Sequence, residues 1–111
     1  MFEGSQDLPR GTLDLLILKV LSLEPMHGWG IMKRIQALSV GVFELNQGSL
    51  YPALQRLKKK KWIRAEWRTT ENSRRARYYT LTPGGQEKLL EERGAWERST
   101  AAVERILEAE T

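Results

Sequence analysis

The side chains best suited to chemistry lie in one stretch, Gln47 to Ile63, which reads QGSLYPALQRLKKKKWI. Leu50, Leu54 and Leu57 recur at i, i+4 and i+7, so on a helix they share one face while Pro52, Gln55, Arg56 and Lys59 turn away from it. An apolar-anchored helix with a polar, basic outer face is what a groove in double-stranded DNA accepts. Gly48 and Ser49 are read as cap residues, with Pro52 early enough that its missing N–H costs no intrahelical bond. Lys58 to Lys61 continue the charge, and Trp62 and Ile63 return the chain to a core.

The basic character does not stop there. Between Arg56 and Arg77 stand ten Lys/Arg and two Asp/Glu, a local balance of +8 in a chain of net charge +4. A solvated charged face is the ordinary meaning of such a run. Its continuation from an amphipathic helix into a hairpin favours a polyanion site. Ile63, Ala65 and Trp67 alternate with Arg64, Glu66 and Arg68, the period of a half-buried strand, and Tyr79 and Leu81 repeat the pattern. The turn-rich TTENSRRA between them, Thr69 to Ala76, predicts a hairpin with a flexible basic tip.

Other elements must position these groups. Residues Met1 to Arg10 lack periodicity and are read as an extended arm docking through Phe2 or Leu8. Leu13, Leu16, Ile17, Val20 and Leu21, widened by Leu15 and Leu18, make a helix apolar nearly all round, ended by Pro25. MHGWGIMKRIQALS predicts a second helix on Ile31, Ile35 and Leu38, with His27 capping or packing at its start; Gly30 has no evident reason. Val40 to Val42 break the pattern, and Phe43 to Leu45 lead into the basic helix.

Thr82-Pro83 reads as a helix start, a cap residue followed by a first-turn proline. Leu89, Trp96 and Val103 sit seven apart beyond it, with Leu90, Ile106 and Leu107 beside them, on a helix otherwise rich in Glu and Arg. So narrow a stripe either packs along the first helix or pairs with a second copy. Leu89, Trp96, Val103, Ile106 and Leu107 are the expected homodimer residues.

Composition excludes several classes. With no cysteine and one histidine, no conventional zinc site can form, and no cofactor is expected. No apolar run approaches the roughly 20 residues that span a bilayer, so a cytoplasmic protein without membrane contact is expected. Paired carboxylates, a nucleophile with a histidine partner and a phosphate loop are all missing, which argues against an enzyme. The predicted fold class is mainly α with a small β-hairpin: a winged helix-turn-helix with its N-terminal arm over residues 1–82, and a long C-terminal helix over 83–111.

GTLDLLIL at Gly11 to Leu18, HGWGIMKRI at His27 to Ile35, the Gln47 to Ile63 stretch and RYYTLTPGG at Arg77 to Gly85 resemble successive motifs of PadR-like transcriptional regulators. Departures are Trp29 for the usual tyrosine, Gly30 for a common acidic residue, and Lys61 where glycine often closes the third helix. The short C-terminal part is similar to the small branch of that family, with one dimerising helix. By position, the resemblance implies groove contacts from Ser49, Tyr51, Pro52, Gln55, Arg56 and Lys59, and wing contacts from Arg74, Arg75 and Arg77. Gln55 can pair bidentately with adenine; Arg56 fits guanine or, equally, a phosphate. Lys59, Lys60, Arg74 and Arg75 fit phosphate contacts, and Tyr51 fits either packing against the hairpin or a hydroxyl bond to DNA. The resemblance further implies a dimeric repressor released by a small effector, with Trp96 on the helix where some small members stack planar aromatic compounds. A tryptophan simply packed at the dimer seam is the competing reading of Trp96. A winged-helix protein-interaction module, or a nonspecific DNA binder, is the alternative function.

Overall fold

The computed structural model describes Leu8 and residues 11–111, in four helices and a three-stranded antiparallel sheet. The expectation for an N-terminal arm falls outside the described residues except for Leu8, which lies beside Leu13 and Leu45.

Helix α1, Thr12–Leu23, buries Ile17, Leu18, Val20 and Leu21 and keeps Leu13, Leu15 and Leu16 half-buried against the same core. Strand β1, Met26–His27, and helix α2, Gly28–Leu38, follow. His27 caps α2, its Nδ1 accepting from the Gly30 amide at 3.0 Å, while Tyr78 meets the imidazole edge-on. The apolar line of α2 is Ile31, Met32 and Ile35; Leu38, expected on it, is exposed. The buried arc is centred toward Gly28 and Met32, which leaves Leu38 past its rim at the end of the helix.

Helix α3, Gln47–Lys59, buries Leu50, Ala53, Leu54 and Leu57. It begins earlier than the sequence suggested. Asn46 is the N-cap, its Oδ1 accepting from the Ser49 amide at 2.9 Å, so Gly48 and Ser49 are helical residues. Pro52 is therefore the sixth residue of the helix, and its lost donor is one that would have met the Gly48 carbonyl.

Both α2 and α3 close with the same double hydrogen bond: Gly41 to Gln36 with Val40 to Ala37, and Trp62 to Leu57 with Lys61 to Lys58. The residue after each cap must then be left-handed. Val40 has φ 53° and Lys61 φ 65°.

Strands β2, Ile63–Thr69, and β3, Arg75–Leu81, pair in the order β1-β3-β2, with Ala65 opposite Tyr79 and Trp67 opposite Arg77. β1 adds Met26 opposite Tyr79 on the far side. The turn between β2 and β3 is tight, not a loose basic tip: Ser73 at φ 61° follows a reverse turn in which its amide donates to the Thr70 carbonyl at 2.9 Å. Glu71, Asn72 and Ser73 form that tip, with Arg74 beside it and Arg75 and Arg77 on the strand behind it.

Helix α4, Pro83–Leu107, is stitched to the end of α3. The Thr82 hydroxyl accepts from the Gly85 amide at 3.0 Å and donates to the Lys61 carbonyl at 2.7 Å, and the Thr82 amide donates to the Trp62 carbonyl at 3.0 Å. A Cβ on Gly85 would overlap the Trp62 carbonyl, so only glycine permits this approach. Leu89 is 5% exposed and belongs to the core of its own chain, which removes it from the expected dimer stripe. It faces back onto the body because the Thr82 and Gly85 contacts press the first turns of α4 there. Trp96, Val103, Ile106 and Leu107 are exposed.

Candidate nucleic-acid interface

The outer line of α3 runs through Gly48, Pro52, Gln55 and Lys59, opposite the buried Leu50, Leu54 and Leu57. All four are exposed, and neither Gln55 nor Lys59 has a side-chain hydrogen bond or ion pair among the described residues. Among the described residues nothing competes for their polar atoms.

The flanks of α3 are engaged differently. On the α1 side, Arg56 donates to Asp14 at 2.8 Å, and Ser49 lines the same hollow with Leu13, Asp14 and Leu45. Lys60 lies 5.4 Å from the Trp62 ring centroid. On the other flank, Tyr51 packs on the start of α2, and a Cβ on Gly28 would come within 2.6 Å of its hydroxyl. That observation explains Gly28, whose role the sequence left unread. Trp29, next along, carries the Lys33 ammonium 4.6 Å from its ring centroid.

Tyr79 links this flank to the hairpin. Burial pushes its hydroxyl above the usual tyrosine range, the nearby Arg77 guanidinium pulls it partly back, and Tyr51 adds to the rise.

On the hairpin, Arg74 is exposed beside the tip, and its carbonyl accepts from Thr70. Arg75 and Arg77 project on the face of Trp67, with guanidinium carbons 5.2 and 5.4 Å from its ring centroid. Trp67 was expected to face inward. It shares a face with Ile63 and Ala65, but the strand outruns the core, and the indole is 56% exposed. On the opposite face Arg68 pairs with Glu66 at 2.9 Å and lies over Tyr78.

The arrangement is an uncommitted polar helix face next to a basic two-stranded wing. A profile of the transcriptional regulator PadR-like family matches residues 17–92. The chain belongs to that family. Its fold agrees: a PadR family transcriptional regulator from Eggerthella lenta is 29% identical, with a TM-score of 0.79, covering 91% of this chain and 86% of the other. A PadR-like transcriptional regulator from Bacillus cereus is 27% identical, with a TM-score of 0.78 and coverage of 91% and 96%. Uncharacterized protein X of Lysinibacillus sphaericus is 28% identical over 102 residues, 92% of this chain and 94% of the relative. An uncharacterized 37.1 kDa protein in transposon TN4556 of Streptomyces fradiae is 36% identical over 89 residues, but those span only 24% of its length. This PadR-like protein is a DNA-binding transcriptional regulator with a winged-helix fold. Among the described residues no helix is long and apolar enough to cross a membrane, and no cluster of His, Asp and Glu could hold a metal ion.

Proposed function

We propose that this PadR-like protein is a dimeric repressor that reads a two-fold symmetric operator and is released by a small aromatic effector. The observation that carries the reading is the free outer face of α3, Pro52, Gln55 and Lys59, beside a wing whose Arg74, Arg75 and Arg77 have no carboxylate partner among the described residues. Gln55 is placed to read a base edge, while Lys59, Lys60, Arg74, Arg75 and Arg77 hold phosphates. Ser49 and Tyr51 fit backbone contacts at the groove edge. Arg56 reaches DNA only by leaving Asp14, which suits a phosphate contact better than a fixed base contact.

Residues 1–82 act as the DNA-binding unit and 83–111 as the dimerising helix. Support for the second part is the exposed stripe of Trp96, Val103, Ile106 and Leu107. An apolar groove beside it, lined by Leu15, Leu16, Phe43, Leu89 and Trp96, suits a flat aromatic molecule. An effector acts by preferring one spacing of the two subunits, and it needs differential affinity for the two states to lower operator affinity.

The test is selection of bound sequences from a random DNA pool, with the stoichiometry of the complex read alongside. A symmetric site filled by a dimer, with half-sites about one helical turn apart, is the expected result. Salt-sensitive binding without an enriched sequence would replace operator recognition with nonspecific binding. Unchanged operator affinity in the presence of a tightly bound effector would remove the release mechanism.

A further inference from the structure

We propose that Trp67 is a positioning residue for the DNA contacts of the wing: its indole holds the Arg75 and Arg77 guanidiniums in the orientation in which they meet the duplex. The inference rests on the assignment of these two arginines to DNA.

Three features of the hairpin lead to it. First, the register puts Trp67 directly opposite Arg77 and two pairs inward from Arg75, on the same face of the ribbon, so a single ring serves both side chains. Both guanidiniums lie within the range at which an aromatic face attracts a cation. A long, unbranched arginine side chain is otherwise free to sample many rotamers, and that freedom is lost on binding.

Second, the two faces of the wing are treated differently. Arg68 is neutralised by Glu66 within its own strand, whereas Arg75 and Arg77 have no carboxylate partner among the described residues. The neighbour they share is the indole, which attracts the cation without cancelling its charge. A carboxylate in that place would have to be displaced by each phosphate.

Third, the Arg77 Nε lies out of solvent without an acceptor. A buried N–H donor in this condition costs free energy. That nitrogen is closed to a phosphate oxygen as it is to water, so it marks how tightly the Arg77 side chain is packed at the base of the wing, and any contact with the duplex falls to the outer NH groups of the guanidinium. Trp67 is itself 56% exposed, far more than packing in a core would leave it.

The experiment compares Trp67→Leu and Trp67→Phe with the wild type in titrations of one operator-length duplex over a range of salt, each variant alone and combined with Arg75→Gln and Arg77→Gln. Far-UV circular dichroism and melting follow folding. Trp67→Leu changes no charge, yet binding is expected to weaken about tenfold, from two exposed cation–aromatic contacts. The slope of log affinity against log salt is expected to flatten by up to about 1.8, that is about 0.9 for each of two phosphates. Trp67→Phe, which keeps a ring face, restores most of both. In the double-glutamine background Trp67→Leu then has little further effect.

An equal loss in both backgrounds would mean that Trp67 acts on its own, and would overturn the positioning role. So would an unchanged affinity and slope in Trp67→Leu. If the double-glutamine variant itself binds as well as the wild type, the assignment of the wing to DNA fails, and the role of Trp67 with it. That outcome is separable because it needs no change at Trp67.

Discussion

Val40 offers a sharp test of the backbone reasoning. It ends α2 in the left-handed region at φ 53°, a conformation that costs an L-residue about 1–2 kcal/mol, and a β-branched side chain lies at the upper end. The side chain is 90% exposed, so its removal forfeits almost no burial. Val40→Gly removes that strain and adds back about 0.5–1 kcal/mol of unfolded-chain freedom. The net expectation is a gain of about 1 kcal/mol, or roughly 4 °C in melting temperature for a chain of this size. The assay is thermal melting at one fixed protein concentration, because self-association would make the midpoint concentration-dependent. Val40→Ala keeps its Cβ and is expected to gain less. A Val40→Gly variant melting at or below the wild type would refute the argument. It would mean that the exposed isopropyl group makes contacts that outweigh left-handed strain. Lys61→Gly, at the matching position after α3, should also stabilise, by about 0.5–1 kcal/mol.

Further expectations concern the interface and the joint behind it. Replacing both Arg74 and Arg75 with alanine should weaken binding to every DNA sequence about equally, whereas Gln55→Ala should alter sequence preference with the salt slope unchanged; titrations on matched and altered operators separate the two. Gly85→Ala should destabilise by about 3 kcal/mol, because its Cβ would overlap a backbone carbonyl, while Gly84→Ala, with ordinary spacing around it, should be neutral or stabilising by about 0.5 kcal/mol in denaturant unfolding. Tyr79 has a folded-state pKa raised above its unfolded value, so its contribution is fully present below about pH 10 and is lost as pH rises through the folded value. Tyr79→Phe should therefore show a shallower alkaline loss of stability in melts taken over that range.

Much of this was legible in the residue order, and the exceptions share a cause. The stripe of α1, the buried line of α3, the alternation of β2 and β3 and the Thr82-Pro83 start of α4 are local patterns, and each forms where its period places it. β1 has only two residues and exists because Met26 and His27 meet Tyr79 and Tyr78, a distant pairing with no periodic trace. Trp67 shows the limit of alternation: period two assigns a face, but not whether the core extends beneath it. Leu89 and Trp96 are seven residues apart and alike in sequence, yet one is core and the other surface. The difference comes from where α4 is fastened to the body. The start of α3 was misread because Pro52 suggested a first turn, while the capping side chain, Asn46, stands further back. At the interface, the residue types of the free α3 face were readable. The Asp14 tie on Arg56 and the indole under two arginines needed three-dimensional neighbours.

The fastening of α4 has a mechanical meaning. Thr82 and Gly85 hold its base against the residues that end α3, and Leu89 seats its second turn in the core. Its 25 residues form an arm about 37 Å long. A tilt of about 5° at the free half, where Trp96, Val103 and Leu107 lie, displaces the opposite end by about 3 Å. On the proposed reading, a cue at the tip of α4 would pass to α3 through these contacts at its base.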